Sequence, residues 1–298
     1  MENLQEFKKN SYSQFGEDGI IQEILKRISS NVSLNQWCCE FGAWDGLHLS
    51  NTARLIKEDN YRAVLIEGDQ RRMEDLEFNF PSSQVIKIAT FITTSGITSL
   101  DNILASTDIP KDFDFLSIDI DGMDYWIFKS LASYRPKVIC IEFNPTIPNA
   151  VNFVQVNDQR VKHGSSAKAI ESLGGEKDYG VVAATECNLF LVRNDLINFV
   201  LPHRPSLESI IPLGNDPQYL FSGYDGSVLS NKSEVRLGWH GTFSLEVLEI
   251  LPPNLRKYSG DYGKMQHFMF RVFYFLHRQN RLRLLLKKFL STFASKKT

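Results

Sequence analysis

Carboxylates gather in this sequence where apolar runs stop. Phe113 to Ile118 is apolar apart from Asp114 and Ser117, and Asp119, Asp121 and Asp124 follow it. Val138 to Phe143 is a second such run, with Glu142 near its end and Asn144 just beyond. If the chain stays extended through Asp121, the Asp119 and Asp121 side chains point to the same side. Such a set admits three chemistries. One carboxylate can act as a general base that takes the proton of an acceptor hydroxyl. Several oxygens can hold a divalent cation, Mg2+ or Mn2+, that acidifies the hydroxyl. Or the acids can cap helix N-termini, a role that suits Asp121 or Asp124. Asp119 and Glu142 are the two best placed for catalysis. His163 lies in the polar stretch Arg160 to Ser166 and is a further candidate base, because an imidazole titrates near neutrality. A loop histidine that is simply solvated is the plain alternative.

A second feature lies upstream. Trp37 to Phe41 is a short apolar run holding Glu40, and Gly42-Ala43-Trp44-Asp45-Gly46 follows at once. The order Glu-x-Gly-x-x-x-Gly lets a strand turn sharply and bring its backbone close to a ligand. That ligand would sit at the carboxyl end of a parallel sheet, at a switch point. The Gly-x-Gly-x-x-Gly of dinucleotide binders and the Gly-Lys-Ser/Thr of phosphate loops are both missing. Glu67 closes the next apolar run, where a carboxylate can accept from both hydroxyls of a ribose. NAD and S-adenosylmethionine (SAM) both satisfy that requirement, and the Gly42–Gly46 turn favours SAM. A solvated loop acid is the alternative for Glu67. Trp44 and Tyr125 could stack on adenine or sugar, although aromatics so placed also serve as core.

These residues need elements to position them. Helical spacing is found over 18–28, 50–59 (Ser50 or Asn51 as cap), 71–78, 99–104, 125–131 and 167–173. The last is expected to stop at Gly174-Gly175. Strands are expected at 37–41, 63–66, 85–89, 113–118, 138–143, 181–184 and 189–192. Strands that are nearly all apolar and alternate with helices mean an α/β fold around a buried, mostly parallel sheet. The short link between the last two strands makes them an antiparallel hairpin at one edge. Over roughly residues 10–195 this pattern resembles the seven-stranded, Rossmann-like sheet of class I methyltransferases. The expected division is a domain at 1–199, an irregular extension at 200–263 and a basic amphipathic helix within 264–298. In that helix Phe268, Val272, Phe275, Leu282, Leu286, Phe289 and Phe293 recur in three- and four-residue steps over 265–294.

Composition narrows the options. The 298 residues, 43% of them hydrophobic, suffice for a sizeable core. A net charge of −2 argues against a general nucleic-acid binder. From Lys264 to Thr298 there are nine Lys and Arg and no Asp or Glu, so −2 minus 9 leaves −11 on the rest. The amino terminus is polar and acidic, unlike a signal peptide, and no apolar run is long enough to span a bilayer. Cys38, Cys39, Cys140 and Cys187 lack Cys-x-x-Cys spacing and are expected as buried, reduced thiols in strands of a cytoplasmic protein.

Four segments together resemble the FkbM-like SAM-dependent methyltransferases: Ser13-Gln14-Phe15-Gly16-Glu17-Asp18, Glu40 to Gly46, Asp119-Ile120-Asp121-Gly122 and Ile141 to Pro145, with Asn188 to Val192 similar to the final strand. The resemblance implies that Glu40, Gly42, Ala43, Asp45, Gly46, Glu67 and Asp119 surround SAM. It also implies that Gln14 and Asp18 help close the pocket. One position departs from the family, which usually has Asp-x-Glu-Gly where this chain has Asp121. Sugar methyltransferases such as macrocin O-methyltransferase hold a metal with acids at these two strand ends, and by similarity Asp119, Asp121, Glu142 and Asn144 would be its ligands. The implied reaction is O-methylation of a hydroxyl on a sugar, glycan or related polar metabolite, with no nucleic-acid partner. A non-catalytic scaffold on the same fold, or a nicotinamide-dependent enzyme, are the other readings. The basic helix would pack on protein, pair with a second copy, or lie on the inner face of a membrane.

Overall fold

The computed structural model describes residues 3–211, 218–237 and 240–278. Contacts divide the chain into two units, residues 1–215 and 216–298. In the first, strands β1 (Trp37–Phe41), β2 (Arg62–Glu67), β3 (Val85–Ala89), β4 (Phe115–Ile118), β5 (Val138–Glu142), β6 (Tyr179–Ala184) and β7 (Asn188–Arg193) form one sheet in the order β3-β2-β1-β4-β5-β7-β6. Only β7 runs antiparallel to its neighbours. This is the expected Rossmann-like methyltransferase sheet with its terminal hairpin.

Alternation across the central strands sorts side chains onto two faces. Cys39, Phe41, Val64, Ile66, Leu116, Ile118, Ile139 and Ile141 belong to one core. Cys38, Ala63, Leu65, Phe115, Val138 and Cys140 belong to the other. Helices cover both faces. Helix α1 (Glu17–Ser29) buries Ile20, Ile21, Ile24, Leu25 and Ile28 in the second core. Next come α2 (Ala53–Lys57), α3 (Gln70–Asn79), α4 (Leu100–Ala105), α5 (Asp124–Ser130) and α6 (Ala167–Glu176). Parallel register sets Phe41 beside Ile66 and Ile118, and Ile118 beside Ile141. The carboxyl ends of β1, β2, β4 and β5 therefore share one rim of the sheet, the place where open α/β sheets bind ligands.

Some boundaries move for physical reasons. Helix α2 begins only at Ala53, because Ser50, Asn51 and Thr52 donate to Glu40 instead of entering the helix. Helix α6 runs through Gly174-Gly175 to Glu176. A Cβ on Gly174 would lie 2.5 Å from Leu191 Cδ2, so that glycine lets the helix close on β7 rather than ending it. Strand β4 starts at Phe115, and Cys187 sits half-buried in the β6–β7 turn rather than buried in a strand. All four thiols are free. The first unit also extends past 199, with Val200, Leu207, Ile210 and Ile211 in its cores.

The second unit holds two short hairpins, β8 (Leu220–Ser222) with β9 (Val228–Ser230) and β10 (Glu234–Arg236) with β11 (Thr242–Ser244). A helix over Lys264–Arg278 follows. Residues 279–294 of the expected basic helix, and Trp239, lie outside the described residues. No helix among the described residues is long and apolar enough to cross a membrane.

At the amino ends of the strands a buried ion pair ties the sheet together. Lys137 Nζ donates to Asp114 Oδ1 at 2.9 Å, and Asp114 also accepts from the Asn35 and Gln36 amides. Both side chains are out of water. Removing Asp114 would leave buried Lys137 only Asp112 among the described residues, through its carbonyl oxygen and a carboxylate 3.6 Å away. Asp114→Ala is expected to lower the unfolding free energy by about 3–5 kcal/mol in urea titrations; a loss under about 1 kcal/mol would contradict this account.

Candidate functional site

The turn after β1 is held by its neighbours on both sides. Gly42 and Ala43 donate their amides to Ile66 O on β2, and Gly42 is in the left-handed region at φ 74°. A Cβ on Gly42 would stand 2.0 Å from Asp119 O, so only glycine lets this turn touch the one after β4. Gly46, also left-handed at φ 77°, is buried, and a Cβ there would strike Phe80 and Leu76. The two glycines therefore serve different contacts: Gly42 meets β4, and Gly46 seats the loop on α3. Ala43 points into the core. Asp45 Oδ1 accepts from the Leu47 and His48 amides and shapes the loop from within.

Glu67, half-buried at the end of β2, closes the same turn. Its Oε2 accepts from Trp44 N at 2.8 Å and its Oε1 from Asp69 N at 2.7 Å. Each oxygen keeps a second lone pair for a donor from a ligand. Beside it stands a residue that the sequence reading missed. Phe91 is 71% exposed and its ring lies over Gly68, where a Cβ would come within 2.3 Å of the ring. A large ring held in water beside a carboxylate with lone pairs to spare offers an open face to a planar group. The sequence signal was an isolated aromatic two residues past β3. Trp44 is exposed as well, edge-on to His48 and beneath the Arg72 guanidinium. Tyr125 is half-buried against Trp126.

Glu40 faces inward. Ser50 Oγ, Thr52 Oγ1 and Asn51 N donate to it at 2.6, 2.7 and 2.9 Å, while Asn51 Nδ2 reaches Ser117 on β4. Burial raises its pKa and these donors oppose the rise. The structure gives this carboxylate the work of clasping the segment before α2. Asp18 is similarly buried. Its Oδ2 accepts from the Ser11, Tyr12 and Ser13 amides and from Ser13 Oγ, folding 11–13 over the start of α1. Its Oδ1 is buried with no partner. Gln14 is exposed on that loop. Glu17 stood in the Ser13–Asp18 segment of the sequence reading without a role. Buried, it accepts from Phe15 N, Thr185 Oγ1 and Asn188 Nδ2, linking the amino-terminal loop to the β6–β7 turn.

Asp119, Asp121 and Glu142 come together, with one carboxylate oxygen from each lying within 4.8 Å of the others. The route differs from the expected one. β4 stops at Ile118, and Asp121 reaches the group through a left-handed turn at φ 54° rather than by strand alternation. Asp124 fixes that turn by accepting from the Ile120 and Gly122 amides. Asn144 is engaged by its own loop: its Oδ1 accepts from Thr146 N and Oγ1, and its Nδ2 donates to His163 O. Gln155 Oε1 accepts the His163 and Gly164 amides, so the loop after β5 is anchored beside the acids. The His163 side chain is exposed, and Lys162 Nζ donates to Ile120 O.

Crowding changes the acids' chemistry. Glu142 rises to about 9, first because its surroundings keep water away and then because of Asp119, Asp124 and Asp121, with Lys162 opposing. Asp119 rises to about 7 by burial and then by Asp124, Asp121, Glu40 and Glu17. Burial also lifts Asp124, to about 6. Near neutrality the Asp119–Glu142 pair keeps a proton.

Unfolded carboxyls titrate near pH 4, so between there and pH 9 this cluster binds more protons folded than unfolded. Stability is then fully present below the unfolded value and is lost as pH rises through the folded values. Thermal melts from pH 6 to 9 are expected to show a falling Tm for the wild type and a smaller fall for Glu142→Gln. Equal falls would contradict the assignment.

The matches to known proteins can be set beside this geometry. No curated protein matches the sequence. Among solved structures, the chain is similar to a putative O-methyltransferase from Klebsiella pneumoniae at 16% identity, covering 59% of this chain and 90% of that one, with a TM-score of 0.37. It is similar to a SAM-bound amino pentose methyltransferase of calicheamicin biosynthesis from Micromonospora echinaspora at 9% identity, covering 62% and 99%, TM-score 0.37. It is also similar to a putative RNA methyltransferase from Pyrococcus horikoshii at 11% identity, covering 63% and 89%, TM-score 0.34. A family model matches as well: residues 50–175, from the Ser50–Thr52 clasp into α6, match the model of the methyltransferase FkbM domain.

Proposed function

We propose that this protein transfers a methyl group from SAM to a hydroxyl of a sugar, glycan or related polar metabolite. The observation that carries the reading is the shared rim. Glu67, with lone pairs to offer, and the exposed Phe91 ring flank one side of the Gly42 turn, and the Asp119–Glu142 cluster flanks the other. An adenosine fits the first set by chemistry. Ribose hydroxyls donate to Glu67 and adenine stacks on Phe91. When bound, SAM supplies an electrophilic methyl on its sulfonium.

The chain's own residues then have two tasks. One is to hold the acceptor hydroxyl in line, so that the C–O bond forms as the S–C bond breaks. The other is to take the hydroxyl proton. Asp119, lifted to about 7, is matched to that task near neutrality. Glu142, lifted to about 9, stays protonated and can donate to the acceptor oxygen. The products are the methyl ether, S-adenosylhomocysteine and the proton on Asp119. His163, anchored near Asn144, is the other residue to test as a base. A second reading rests on the same Asp119, Asp121 and Glu142 oxygens, whose spacing suits an oxygen-loving cation such as Mg2+ or Mn2+.

Calorimetric titration with S-adenosylhomocysteine tests the donor site. Micromolar binding is expected, with Glu67→Ala and Phe91→Ala each weakening it by about tenfold or more, the loss of about one stacking or hydrogen-bonding contact. No binding by the wild type would remove the methyltransferase reading in favour of a scaffold. Once an acceptor is found, Asp119→Asn is expected to lower kcat about 100-fold or more with donor affinity retained. Full activity in EDTA would remove the cation reading, whereas loss restored by Mg2+ or Mn2+ would favour it over base catalysis by Asp119.

A further inference from the structure

The helix Lys264–Arg278 carries two unlike rows side by side. Lys264, Arg271 and Arg278 are seven residues apart and line up along it. Met265, Phe268, Val272 and Phe275 form the adjoining row and are 71, 61, 36 and 60% exposed. The opposite side of the helix is already engaged within the second unit. Phe273 and His277 are half-buried and line a cavity with Pro252 and Arg256. What faces water is thus an apolar row that a folded protein normally hides, bordered by cations.

We propose that this helix binds flat on a bilayer containing anionic lipid. Charge selects the occupant. Nine Lys and Arg and no acid lie between Lys264 and Thr298, while the rest of the chain carries −11. A second copy laid on the same row would bring two cationic rows together, which costs free energy. An anionic surface attracts the row and repels the acidic remainder, so the helix is the part that meets it. The Phe and Met side chains enter the headgroup boundary and the Arg and Lys stems reach back to phosphate.

Flotation of the full chain with phosphatidylcholine vesicles, with and without one-quarter phosphatidylglycerol, tests this. Binding is expected only with the anionic lipid and is expected to fall about tenfold from 0.1 to 0.5 M salt. The paired changes Phe268→Ser with Phe275→Ser, and Arg271→Glu with Arg278→Glu, should each reduce it about tenfold at unchanged melting temperature. The wild-type salt series stands without either variant, should a variant fail to fold. No flotation by the wild type, equal flotation on neutral vesicles, or a dimer in sedimentation that Phe268→Ser with Phe275→Ser dissolves would overturn the proposal.

Discussion

The site depends on one close approach: the Gly42 backbone lies against the Asp119 carbonyl. Any side chain at Gly42 would push the turn after β1 away from the turn after β4. Because the two touch, the Glu67–Phe91 surface and the Asp119–Glu142 cluster share a single rim. Parallel pairing of β1 with β2 and β4 supplies the alignment, and the glycine turns it into contact. Burial, followed by the neighbouring acids, sets the charge behaviour of Asp119.

Around this contact the chain uses buried carboxylates as clasps. Glu40 holds the segment before α2, Asp18 holds the loop before α1, Glu17 ties that loop to the β6–β7 turn, and Asp124 shapes the turn after β4. Each accepts backbone or hydroxyl donors that would otherwise be buried without partners. The result is a set of loops fixed by short polar contacts on a rigid sheet, a sound support for a reaction that needs alignment. The same economy concentrates negative charge, which adds to burial, the larger cause, in letting Asp119 and Glu142 retain protons that isolated carboxyls would release.

Much of this was legible in the sequence because the signals were local. Apolar runs ending in Glu67, Asp119 and Glu142 marked both the strands and the rim, since a buried parallel strand and its exposed end differ sharply in composition. What stayed hidden was long-range. The Glu17 contacts with Thr185 and Asn188 join residues that only the folded sheet brings together. Glu40 had the motif position of a ligand contact, but no local pattern reveals that Ser50, Asn51 and Thr52 occupy it. Asn144 sits one residue past an apolar run, and its engagement with Thr146 and His163 shows only in three dimensions. Gly46 could be read as a turn, but not as the residue that seats its loop on Phe80 and Leu76.

The central claim is that a methyl group moves from a donor on the Glu67 side of Gly42 to a hydroxyl on the Asp119 side. The most direct measurement follows the label from SAM carrying a tritiated methyl, incubated with the wild-type chain and a panel of sugars, nucleotide sugars and glycans. The account predicts label in a base-stable ether on a sugar hydroxyl. Label on nitrogen or phosphate, or no transfer to any acceptor while the donor is bound, would contradict it.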